Sequence, residues 1–147
     1  MTNKRIKYFF LASVLIQMFV ITSLATASPL LTMPIIEGGS LLWGNLMTTV
    51  MFVLFPLNFL IIRSTRKVHP IPLKVFRICV VASLVLGILW IPVTYLLSGN
   101  PSGNFSGEDG ASKFWWAYTY ATPILPFAGY FLMRILTIFF KPSSQPK

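Results

Sequence analysis

The sequence predicts an all-α fold: a polytopic membrane helical bundle of four transmembrane helices, with the 147-residue chain as a single membrane domain. Three observations carry this. Hydrophobic residues make up 55% of the chain and charged residues only 10%, whereas a soluble domain carries about 25% charged residues, so lipid must cover much of the surface. Four uncharged or nearly uncharged runs reach bilayer length. The basic residues fall at the ends of those runs, on alternate connections.

A helix rises ~1.5 Å per residue and the hydrocarbon core is ~30 Å thick, so a span needs about 20 apolar residues. The first run covers residues 8–27, the second 41–62, the third 78–97 and the fourth 114–140, the last interrupted by Arg134. In hydrocarbon the backbone must satisfy its own hydrogen bonds, so these runs are read as helices. The ten-residue alternation of a membrane β-barrel is missing from the sequence.

The first run has a second reading. Lys4, Arg5 and Lys7, an apolar stretch and then Ala25, Thr26 and Ala27 resemble a secretory signal peptide with a small-residue cleavage site. The stretch from Tyr8 to Leu24 exceeds the usual 7–15-residue core of such a peptide, which favours a retained span. Residues 28–40 form the first external loop, with Glu37 as its one charge.

Residues 63–77 form a cytoplasmic loop carrying Arg63, Arg66, Lys67, Lys74 and Arg77. Pro70 and Pro72 are expected to stiffen a turn over residues 68–73. Residues 98–113 are the second external loop, with Glu108, Asp109 and Lys113. Pro123 and Pro126 are expected to weaken or break the fourth run, so that Arg134 marks the inner boundary and residues 135–140 lie along the interface. The alternative is an arginine that snorkels, or a functional buried charge. The tail 141–147 holds two prolines and no apolar run, and is read as a frayed end.

Basic residues stay on the cytoplasmic side as spans insert. Eleven of the twelve basic residues fall on one side of this plan, and all three acids on the other. Both termini are therefore placed in the cytoplasm, and the family resemblances below imply a bacterial inner membrane. The net charge of +9 reads as topology and contact with anionic lipid headgroups. The basic residues line span ends and form no single groove, which argues against nucleic acid.

The four runs contain no Asp, Glu, His or Lys. Proton carriers and intramembrane hydrolases place such groups inside the bilayer, so the expectation is a protein without catalytic activity, with no cofactor and no metal. His69 precedes Pro70 with no Cys, Asp or Glu nearby, and the lone Cys79 excludes an intrachain disulfide. Cys79 reads as an apolar packing residue, with palmitoylation as an alternative.

The candidate intramembrane polar contacts are Gln17, Asn45, Thr48, Thr49, Asn58 and Arg134. Interhelical hydrogen bonding is the plain reading for the amides and hydroxyls; a lining for a solute path is the other. Ser83 with Gly87, and Ser23 with Ala27, are small residues four apart that let helices approach closely. Trp43, Trp115, Trp116, Tyr118 and Tyr120 fall at outer span ends, where an aromatic belt is expected. Asn104, Phe105 and Ser106 fit an N-glycosylation acceptor on the outside.

The two halves share a pattern. Phe55-Pro56 leads to Arg63 and Leu125-Pro126 leads to Arg134, and each half has tryptophan near its outer end. This suggests two similar helical hairpins.

The first hairpin resembles a family of uncharacterised bacterial two-span membrane proteins, through Lys4, Arg5, Ile6 and Lys7, Trp43 opening the second span, and Phe55-Pro56. The whole plan resembles inner-membrane immunity proteins against pore-forming colicins, through the stretch from Leu46 to Met51 and the basic stretch from Arg63. That family implies four spans, internal ends and a basic inner loop. The loop 98–113 matches nothing in it. Together these readings favour a protein acting through helix–helix contacts with a membrane partner or by self-association. It would be an accessory subunit, an assembly factor or an immunity protein. The alternative is an oligomeric or holin-like pore, or a small-solute transporter.

Overall fold

The computed structural model describes residues 3–63, 69–101 and 110–139. Arg66, Lys67, Glu108, Asp109, Lys141, Lys147, the acceptor triplet Asn104 to Ser106 and the tail 141–147 lie outside the described residues.

The described elements are helices α1 (Asn3–Ala25), α2 (Trp43–Arg63), α3 (Pro70–Ile88), α4 (Trp90–Ser98) and α5 (Gly110–Phe139), with a 3-10 turn at Pro29–Thr32. The chain is a helical bundle. Helices α1, α2, α3 and α5 are long and apolar enough to cross a membrane, which makes this a multi-pass membrane protein.

Helix α1 ends in a Schellman closure. Ser28 N–H donates to Ser23 O at 2.9 Å and Ala27 N–H to Leu24 O at 3.2 Å, with Ala27 at φ 47°. That left-handed residue, followed by Pro29, stops the helix at Ala25 although the apolar run continues to Ala27. The chain then forms an isolated antiparallel bridge, Pro34 to Leu42. It reverses at Gly38, whose φ of 75° suits the third position of the turn from Ile36 to Gly39. Helix α2 opens with half of a capping box: Leu42 N–H donates to Asn45 Oδ1 at 3.1 Å.

The third helix begins before the third apolar run. Helix α3 starts at Pro70, not at residue 78, so Pro70 and Pro72 open a helix where a turn is expected. The first N–H groups of a helix have no intrahelical acceptor, so prolines there lose nothing. His69 caps the helix, accepting from Ile71 N–H at 3.4 Å. At Leu89 the helix breaks and α4 begins. Pro92 has no N–H to offer Ile88 O, which removes a hydrogen bond at the junction. Helix α4 ends at Gly99, left-handed at φ 74°.

Helix α5 runs unbroken through Pro123 and Pro126 and past Arg134 to Phe139. The expected interruption is absent among the described residues, and the helix continues through residues 135–139. The reason lies in a neighbouring helix and is given below.

Packing is centred on α3. Its most extensive contact is with α5 and its next with α2, while α1 touches only α2 and the Pro29–Thr32 turn. Phe76, Val80 and Met133 form the buried cluster, flanked by Phe59, Leu60, Leu73 and Tyr130. Rings from α2 and α5 meet beside it: Phe127 lies 5.4 Å from Phe55 and 5.3 Å from Phe59. Segments α3 and α4 together run antiparallel to α5, as contacts from Cys79 with Gly129 through Thr94 with Trp115 require. The likeness between halves is kept at Pro56 and Pro126, both buried. It is lost in the connections, one a bridged turn and the other preceded by α4.

Candidate functional site

A proline inside a helix leaves the carbonyl four residues earlier without its donor. Pro126 does this to Thr122 O and Pro56 to Phe52 O. Both freed carbonyls face α3. Ser83 Oγ, fully buried, donates to Thr122 O at 2.6 Å. One turn further on, α2 presses its Phe52 carbonyl against Gly87: a Cβ on Gly87 would fall 2.8 Å from Phe52 O. The small pair Ser83 and Gly87 thus meets a proline-freed carbonyl on each side, one by a hydroxyl donor and one by close backbone approach. This explains why α5 passes Pro126 without breaking.

The α3–α5 approach is equally close at Gly129, where a Cβ would stand 2.6 Å from Cys79 Cβ. Cys79, half-buried, therefore packs between helices.

Toward the other end of α5 an aromatic and hydroxyl lock holds the break at Leu89. Trp90 Nε1 donates to Thr119 Oγ1 at 3.1 Å and Trp115 Nε1 to Thr94 Oγ1 at 2.8 Å. Thr94 Oγ1 in turn donates to Trp90 O at 2.7 Å. The Tyr118 hydroxyl donates to Leu86 O in the last turn of α3. Trp90 also sits edge-on to Phe52 of α2, 6.0 Å between centroids.

The five belt aromatics therefore divide. Trp43, Trp116 and Tyr120 are exposed, as an interface belt needs, and the last two stack at 5.6 Å. Trp115 and Tyr118 turn inward and spend their polar atoms between helices. Trp is free to do either because its N–H needs a partner once buried.

The sequence-predicted contacts do not converge. Gln17 Nε2 donates to Ser13 Oγ on its own helix at 3.4 Å. Thr48 and Thr49 hydroxyls donate back to Gly44 O and Asn45 O within α2, at 2.8 and 2.9 Å. Asn45 is buried at the start of α2, where Nδ2 donates to Pro101 O at 2.6 Å and ties that end to the chain after α4. Asn58 is buried, and its Oδ1 has no hydrogen-bond partner among the described residues. Arg134 lies on the exposed side of α5, outside the protein core.

Ser83, Trp90, Thr94, Trp115, Tyr118, Thr119 and Thr122 carry the bonds between α3, α4 and α5; of these the sequence reading noted Ser83 as a small residue and Trp115 and Tyr118 as belt aromatics. The signal was present: an in-helix proline four residues after Thr122 implies a donor from elsewhere. Among the described residues no three His, Cys, Asp or Glu side chains come together. No family model, curated protein or solved structure matches this chain.

Proposed function

We propose that the chain is a non-enzymatic integral membrane protein that acts through helix–helix contacts with a membrane partner, as an accessory subunit, an assembly factor or a toxin-immunity protein. It sits in a bacterial inner membrane with both termini in the cytoplasm. The observation that supports this most is the use of the intramembrane polar atoms. The interhelical donors and acceptors are consumed within the seam, and Thr48 and Thr49 are consumed within α2. What remains outward is largely apolar: Leu11, Leu15, Met18 and Phe19 on α1, and Ile124, Phe127 and Phe131 on α5. Helix α1 is the favoured contact element, because α2 is the one other spanning helix it packs on among the described residues.

Photo-crosslinking residues placed at Leu11 and Leu15, followed by mass spectrometry of membranes, test the reading. The expected result is an adduct with one heterologous membrane protein. Adducts only to a second copy would move the assignment to the oligomeric pore, and adducts only to lipid would overturn partner contact at α1. Orientation is tested separately, with a Cys79→Ala background and single cysteines at Glu37 and Lys67. An impermeant maleimide should label the first in intact cells and the second only after permeabilisation.

A further inference from the structure

Helix α3 has a face that no other described helix covers. Ile71, Lys74, Ile78, Val81, Val85 and Ile88 are exposed at three- and four-residue spacing, opposite the buried Phe76, Val80, Ser83 and Gly87. Near its first turns, Lys74, Arg77, Ile78, Val81 and Ala82 line a shallow surface groove, open to the surroundings, of about 410 Å³. The lining is apolar almost throughout, and the two cationic residues, both exposed, lie at its N-terminal end along the helix. Glu37 is the only carboxylate among the described residues. It lies between α1 and α2, at the opposite end of the bundle from the start of α3, and cannot neutralise them.

We infer that this face is a binding site for one anionic phospholipid, with the headgroup phosphate on Lys74 and Arg77 and an acyl chain along Ile78, Val81, Val85 and Ile88. The site offers charge at one end and grease along the rest, which is the chemistry of a phospholipid and not of a soluble anion. Arg77 supplies a planar fork that can take two phosphate oxygens, and Lys74 a point charge one turn away. The dimensions agree. Ile78 to Ile88 is a rise of ~15 Å, half of the ~30 Å hydrocarbon core, so the apolar stripe matches one leaflet. The inference rests on membrane embedding alone and not on the partner reading, so either can fail without the other.

The test uses the full chain in detergent. Lipid adducts are counted by native mass spectrometry, and the unfolding midpoint is followed on adding phosphatidylglycerol, phosphatidylcholine of the same acyl chains, or glycerol phosphate. The native protein should bind and be stabilised by phosphatidylglycerol above phosphatidylcholine, with no response to glycerol phosphate. Each cation near an anionic lipid is worth about fivefold in affinity. Lys74→Gln with Arg77→Gln should therefore weaken phosphatidylglycerol binding roughly 25-fold. Lys4→Gln with Arg5→Gln, an equal charge change on exposed residues of α1, should leave it nearly unchanged. A photoreactive phosphatidylglycerol should crosslink to α3, which gives a readout independent of the variants. Equal binding of the two lipids, equal loss in the two double variants, a response to glycerol phosphate as strong as to the lipid, or crosslinks confined to other helices would each overturn the site.

Discussion

Thr122 O owes its unusual partner to a proline four residues away, and the partner comes from a different helix. A buried backbone carbonyl without a donor costs about 1–3 kcal/mol, and Ser83 Oγ removes that cost at 2.6 Å. Ser83→Ala should therefore destabilise the fold by about 1 kcal/mol in a detergent unfolding titration. In a Pro126→Ala background the helix supplies its own N–H to Thr122 O, and the same Ser83→Ala change should cost close to nothing. A full-sized cost in that background would show that the hydroxyl acts otherwise. Asn58 is the opposite case, a buried amide whose Oδ1 has no hydrogen-bond partner among the described residues. Replacing an unsatisfied polar group by an apolar one of similar size is neutral or stabilising. Asn58→Leu should raise stability by up to about 1 kcal/mol, and a clear loss would reveal a partner supplied by lipid, water or protein.

At the level of elements, the closest approach is α3 against α5. Hydrocarbon gives no hydrophobic drive between helices, so close packing and hydrogen bonds must hold them together. Gly129 permits that packing. Gly129→Ala should cost about 1–3 kcal/mol, as overpacking does, because the new Cβ meets Cys79 Cβ at 2.6 Å. Cys79→Gly in the same chain should recover part of the loss, while Cys79→Ala should recover little, since the clash is with Cβ. Thermal unfolding of the native protein and these three variants by circular dichroism reads this directly. The start of α3 was hidden from hydropathy for a related reason. Lys74 and Arg77 end the apolar run, but both are exposed on the helix surface, and a helix continues through charges that face outward. The break at Leu89 lies inside an apolar run and leaves no mark in hydropathy; only Pro92 hints at it.

For the whole molecule, the contact pattern predicts an order of detachment. Helix α1 buries Ser13, Val20 and Ser23 against a single neighbour, while α5 engages α2, α3 and α4. A protease site inserted beside Gly38, cut in mild detergent, should release α1 from the remainder on size-exclusion chromatography. A cut placed between α4 and α5 should leave the two fragments together. Co-elution of α1 after the first cut would mean that its hold on α2 is stronger than its small buried face suggests. The same asymmetry makes α1 the helix best placed to exchange one neighbour for another.

The amino-acid sequence by itself determined the solvent and the number of crossings. Runs of some twenty apolar residues have one stable state in lipid, a helix with its own hydrogen bonds closed, and that state needs no tertiary information. Tertiary structure alone decided what the polar residues inside those helices do. Thr48, Thr49 and Gln17 look like contacts to other helices and are spent within their own, because a short side chain reaches the preceding turn more easily than a neighbour. Ser83, Thr94 and Trp115 look like filler or belt and are the joints. Their partners are atoms freed or presented by distant segments, and the distance between Ser83 and Thr122 exists only after the helices have packed.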